Sequence, residues 1–295
     1  MQKRVFKILI PLILIFALLF TGCGKSQEKT RDETATDLGV ETQELYSDNG
    51  IVIALAGVSS GDSGYIFDYS IENTGDKDMT VSCDSFGVNG LYVPTSGLFE
   101  KVPAGKTSDS ASITVDSNIL SAAGIGDVGT IEQVFTILSS GYSVIDVTGP
   151  ITANINAASG DTGYGVAASD NVLLDDGSVR ITCQESSVSE SGDLTACFFV
   201  ENDSDLGFAF DSSFKNAVLD GSAAQDLTCK WSTPTIPAGQ SGLVVFEYQG
   251  FANSGFKTLD FDSSLKYKGS TNSSDMTMHF VISGDTLTIT ADNPF

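Results

Sequence analysis

A chain of 295 residues and 30.9 kDa exceeds the usual single domain of about 100–150 residues, and a 41% hydrophobic share with 30 Gly and only 7 Pro excludes a disordered or collagen-like polymer. Fifteen Lys and Arg against 38 Asp and Glu leave a net charge of −23, which repels phosphate backbones and excludes nucleic acid as a natural partner. At the N-terminus, Lys3, Arg4 and Lys7 precede an apolar and Pro run of thirteen residues, Ile8 to Phe20. A helix needs about 20 residues to cross a bilayer, so this run is read as the core of a secretion signal over 1–22.

The signal closes on Phe20-Thr21-Gly22-Cys23. This tetrapeptide resembles the lipobox of bacterial lipoproteins, in which the Cys is lipidated and becomes the mature N-terminus; Phe20 stands where that family prefers Leu. The resemblance implies a lipid on Cys23, attachment to the cell membrane, and exposure on the extracytoplasmic side. Loss of three basic residues takes the mature charge to 12 − 38 = −26. Residues 24–44 are polar and almost free of large apolar groups, so 23–44 is expected to be a flexible tether. Its wealth of Lys, Glu, Thr and Gln resembles the tethers of Gram-positive lipoproteins.

Four landmarks beyond the tether recur in order. Asp48-Asn49-Gly50 returns as Asp175-Asp176-Gly177 and Ile71-Glu72-Asn73 as Val200-Glu201-Asn202, at offsets of 127 and 129. Val102-Pro103-Ala104-Gly105 returns as Ile236-Pro237-Ala238-Gly239, and Val147-Thr148-Gly149 as Ile282-Ser283-Gly284, at offsets of 134 and 135. A small drift in one direction is what loop insertions produce in a duplicated unit. The copies are placed at 45–156 and 170–292, joined by a linker over 157–169.

Within each copy the apolar residues alternate. Phe67, Tyr69 and Ile71 match Ala196, Phe198 and Val200, while Val179, Ile181 and Cys183, and Met276, Met278 and Phe280, make further inward rows. One helical turn is predicted near Asn118 to Ala123. Short strands between Gly, Asn, Asp and Ser clusters give an all-β fold class, with each copy an antiparallel β-sandwich of immunoglobulin-like type. Together, the Asn-containing strand end and the later Pro-Ala-Gly turn resemble the immunoglobulin-like domains of Gram-positive surface lipoproteins. That resemblance implies fold and location and carries no catalytic residue.

Several motifs invite chemistry. Gly57-Val58-Ser59-Ser60-Gly61 fits the G-x-S-x-G nucleophile elbow, but a strand follows where the elbow needs a helix, so a hairpin is expected. Asp62-Ser63-Gly64 and Asp161-Thr162-Gly163 share three letters with aspartic-protease loops, yet Gly and Ser precede each Asp where burial would require apolar residues. Asp175, Asp176, Asp203 and Asp205 are weak calcium candidates, since that ion takes six to eight oxygen ligands and no complete loop pattern is present. Cys183 and Cys197 flank one turn and form a possible disulfide, although alternation sets Cys183 inward and Cys197 outward. Trp231, Tyr92 and Phe99 fall in loop-like segments where an exposed ring could meet a sugar.

The sequence thus predicts a membrane-anchored, non-catalytic binding or interaction module at the cell envelope, without a cofactor, whose partner is a protein or an envelope glycan. A glycan- or calcium-binding accessory protein is the alternative, and a hydrolase using Ser59 or the Asp turns a more distant one.

Overall fold

Alternating apolar residues become twenty strands and one short helix in the computed structural model, which describes residues 35–156, 171–188, 193–224, 229–248, 256–267, 273–283 and 286–292, the side chains of 212–214 aside. The protein is all-β. The first half comprises β1 (Thr36–Asp37), β2 (Gln43–Asp48), β3 (Ile51–Gly61), β4 (Gly64–Asn73), β5 (Met79–Val88), β6 (Leu91–Tyr92), β7 (Leu98–Val102) and β8 (Lys106–Asp116), then helix α1 (Ser117–Ala122), β9 (Thr130–Ser139), β10 (Val144–Val147) and β11 (Ile151–Asn154). The second half comprises β12 (Val172–Asp175), β13 (Val179–Val188), β14 (Leu194–Asn202), β15 (Phe208–Leu219), β16 (Ser222–Ala223), β17 (Gln240–Tyr248), β18 (Thr258–Tyr267), β19 (Ser273–Ser283) and β20 (Thr286–Ala291).

Both halves follow one wiring. β3, β4 and β8 lie side by side, with β1 and β2 both on β3, and they face a layer built on β5 and β9. In the second half β12, β13, β14 and β17 face β15, β18, β19 and β20. The predicted inward rows fill the interiors: Phe67, Tyr69 and Ile71 in one core, Phe198, Val200, Met278 and Phe280 in the other, all fully buried. Burial of each large side chain stabilises the fold by about 1.5–3 kcal/mol. The predicted helical turn is α1, capped by Asp116, whose carboxylate accepts from Asn118 N at 2.8 Å, and anchored by buried Ile119 and Leu120.

The repeated landmarks are paired backbone locks. Asn73 is buried at the end of β4; its Nδ2 donates to Lys77 O and Val102 O at 2.8 and 2.9 Å, and its Oδ1 accepts from Gly75 N at 2.9 Å. Asn202 repeats this at the end of β14, donating to Leu206 O, Ile236 O and Pro237 O at 2.8, 2.9 and 3.0 Å. One amide thus ties the strand end to its turn and to the Pro-Ala-Gly segment, and its own polar atoms are satisfied where they are buried. A further echo joins Asn89 and Asp220, each at positive φ (53° and 49°) before a Gly. Asn89 Oδ1 accepts from Gly129 N and Thr130 N, and Asp220 Oδ1 from Lys257 N and Thr258 N. Those two bonds hold the Asp220 carboxyl below the usual carboxylate range.

The halves are joined by a shared sheet. β6 pairs in parallel with β17, so one ten-stranded sheet runs from β10 through β9, β5, β6, β17, β14 and β13 to β12. β17 and β14 are therefore covered on both faces: Val244, Phe246 and Phe198 point into the second core, while Cys197, Leu243 and Val245 point into the first. Cys197 does leave the face opposite Cys183, but that face is no solvent surface, because the first repeat buries it. Thr36–Asp37, within the expected tether, pairs with β3 through backbone bonds that need no apolar side chain, so composition gives no sign of it.

Candidate binding groove

A cleft of about 410 Å³ opens where the two halves meet. Three segments frame it: β5, the turn from Val93 to Gly97 leading into β7, and the Ser232–Pro234 segment that approaches β17. Two inter-repeat bonds fix its walls, Ser232 Oγ to Thr95 O at 3.1 Å and Thr235 N to Asp84 O at 3.1 Å. Phe86, Val93 and Leu98 supply buried apolar floor. Around them stand Ser82, Asp84 and Thr233, whose side chains have no hydrogen-bond partner among the described residues. Asp84 is the one charged residue in the lining.

Phe99 closes one end. It is 63% exposed, as is Tyr142, and the rings stack with centroids 6.0 Å apart at 28°. Phe99, Ser82, Thr136 and Val147 are register neighbours across β7, β5, β9 and β10, so the ring stands on the outer face of the sheet. Tyr142 sits at φ 60° in the turn after β9, a left-handed conformation uncommon for a bulky residue. Exposed Val144, Ile145 and Val147 continue the apolar surface along β10. The ring of Trp231, the residue before Ser232 of the lining, is half-buried, donates Nε1–H to Glu247 at 2.8 Å and lies 4.5 Å from Lys230 Nζ.

The sequence-predicted residues scatter. Of the three aromatics, Phe99 is exposed at the groove and Trp231 packs partly buried on the first core just before the lining segment Ser232–Pro234, but Tyr92 is fully buried, its ring in the second core and its hydroxyl on Glu132 at 3.1 Å. Burial first, then the Glu132 charge, raises the Tyr92 pKa. Ser59 lies inside β3 at 1% exposure, unable to present a nucleophile, and Asp62 occupies the exposed β3–β4 turn. His279, the one histidine, is on β19 with Nδ1 2.7 Å from Asp260 and Nε2 3.4 Å from Asp292. The Asp260 bond leads the causes that raise its pKa.

Asp176 is spent on its own turn, accepting from Ser178 N and Val179 N at 2.8 and 2.7 Å, and Asp175 accepts from Gly177 N. Asp203 and Asp205 are exposed on the neighbouring turn, and among the described residues no three acidic, His or Cys side chains gather as a metal site. Cys183 and Cys197 are both thiols; the register sets Phe198 opposite Cys183 and Glu185 opposite Cys197, and burial pushes the two thiols up to about 11 and about 12. Cys23 and Asp161 lie outside the described residues. Asp84, Ser82, Thr233 and Tyr142 had no sequence signal, because each takes its role from a pairing between segments far apart in the chain.

No family model and no curated protein matches the chain. Among solved structures it is similar to a conserved domain protein from Bacillus anthracis, with 11% identity and a TM-score of 0.23 over 90% of each chain. It is also similar to red sea bream transglutaminase, with 11% identity and a TM-score of 0.20 over 81% of this chain and 30% of that one. At such scores neither likeness bears on fold or function.

Proposed function

We propose that this protein is a lipid-anchored, extracellular binding module of the bacterial envelope, in which two tandem immunoglobulin-like β-sandwiches hold a ligand groove at their junction. Cys23 carries the lipid, and the polar segment after it spaces the folded part from the membrane. In favour of the immunoglobulin-like plan, the chain leaves β4 for the facing layer and returns as β8 beside it, and β14 and β17 repeat the move, a Greek-key return common to such sandwiches. The observation that carries the binding role is the groove itself. Unpartnered polar side chains around an apolar floor, with an exposed ring at the rim, make a site for contact. Turnover has less support, since buried Ser59 and the doubly carboxylate-held His279 belong to different sheets and form no nucleophile–base pair.

Intact mass of membrane-extracted protein tests the anchor. Loss of residues 1–22 and a diacyl or triacyl addition on Cys23 are expected, with Cys23→Ala releasing the protein from the membrane; an unmodified Cys23 would refute the anchor.

A further inference from the structure

We infer that the groove takes a neutral oligosaccharide, which rests on and deepens the binding-module role. A pyranose ring has an apolar C–H face and a rim of hydroxyls. It needs an aromatic or aliphatic surface beneath the first and donors and acceptors around the second. The groove supplies both at about 410 Å³, inside the range of about 300–1,000 Å³ usual for small-ligand sites. Phe99 offers a 63% exposed ring, held in place by its stack on Tyr142. Beside it, the Ser82 and Thr233 hydroxyls can donate or accept, and the Asp84 carboxylate can accept two sugar hydroxyls.

Charge decides which saccharide. The lining holds one carboxylate and no Lys, Arg or His, on a mature chain of net charge −26 from 12 − 38. A uronate, sulfate or phosphate-bearing glycan would meet repulsion with no cation to offset it, so the ligand is uncharged. A protein partner fits the exposed valines of β10 but gives no use to the three unpartnered polar groups in the cleft. The ligand therefore sits against Phe99 and Asp84 and reaches toward Ser232, next to Trp231.

That neighbour makes the test direct, because Trp231 is the only tryptophan. The mature full-length protein in detergent is titrated with cellohexaose, maltohexaose and chitohexaose, and with oligogalacturonate as the anionic control, while Trp231 emission is followed. At least one neutral oligosaccharide is expected to give a saturable change. Phe99→Ala and Asp84→Asn are each expected to weaken it roughly tenfold, as loss of a ring stack or of a hydrogen bond to a charged group does. Both side chains are exposed at the groove, so melting temperature should hold, and Leu206→Ser on the exposed β14–β15 turn should bind as wild type.

A preference for oligogalacturonate would overturn the charge argument, and binding that survives both groove variants would overturn the site. The wider role is tested apart from the ligand by a photo-crosslinking amino acid in place of Thr233 in intact cells. A specific protein adduct with no response to any saccharide would overturn the oligosaccharide and keep the binding module. No adduct and no response would overturn both.

Discussion

The outer faces of two equivalent layers carry opposite chemistry. On the β5–β9 layer of the first repeat, Phe99 and Tyr142 stack in the open and Ser82 and Asp84 go unpartnered. On the β15–β18–β19 layer of the second, polar side chains satisfy one another across the strands. Lys215 and Ser264 meet Asp275, Asn216 and Thr277 meet Asp262, Lys266 meets Asp211, and His279 meets Asp260. The two halves thus share their interior wiring and differ in their exteriors. A surface that pairs its own charges has little left to offer a ligand, and the proposed groove lies on the other one.

The sharpest way to break this comparison is to attack what the repeats share. Asn73→Ala and Asn202→Ala each remove a buried amide together with its hydrogen bonds to the turn and to the distant segment, so each is expected to cost about 2–4 kcal/mol in urea denaturation. Similar losses are expected for both. A loss above about 2 kcal/mol at one and below about 0.5 kcal/mol at the other would mean that the locks are not equivalent.

The locks were also the most legible part of the sequence. Short polar motifs at turns fix local geometry, so Asn73 and Asn202, and the Pro-Ala-Gly turns after them, could be found by eye. The inward rows were readable too, since alternation at Phe67-Tyr69-Ile71 is a property of one strand. What could not be read was which strands from different repeats meet. Leu243-Val244-Val245-Phe246 is a continuous apolar run, the sign of a strand buried on both faces, and it could have warned that β17 has a second covering layer. Tyr92 read as a loop aromatic because β6 is only two residues long. The groove stayed hidden because it exists only once the Ser232–Pro234 segment is laid against β5.

The junction offers the next largest effect. An Ala Cβ at Gly242 would lie 2.6 Å from Ile236 Cγ1 and 2.9 Å from the carbonyl oxygen of Tyr92. Gly242→Ala is expected to cost about 1–3 kcal/mol, because the Tyr92 backbone belongs to the other repeat and cannot move without parting β6 from β17. A neutral result in thermal melting would show that the shared sheet is dispensable.

A smaller effect probes the self-satisfied face. Because Asp260 and Asp292 raise the His279 pKa, the imidazolium binds its proton more tightly in the folded state. Its contribution is fully present below the unfolded value near 6.5 and is lost as pH rises through the raised folded value. A partly exposed pair of this kind is worth about 0.2–1 kcal/mol. His279→Gln is expected to flatten that segment of the stability–pH curve; a slope unchanged by the substitution would assign it to other groups.

Thiol labelling changes no stability and asks how far the two cores are separate. Cys83 lies in the first core and Cys183 in the second, whereas Cys197 comes from a second-repeat strand but packs in the first core. Thiols held protonated by burial react slowly with disulfide reagents, so labelling reports opening. Cys229, only partly buried, is expected to label first in the native state. Cys83 needs the first core to open and Cys183 the second, but Cys197 is uncovered when either does, by loss of its cover or by melting of its own strand. Peptide-resolved labelling across a urea series should therefore place the Cys197 midpoint at the lower of the other two. Coincidence of all three would mean that the shared sheet makes the repeats one cooperative unit, and a Cys197 midpoint above the lower one would refute its placement between them.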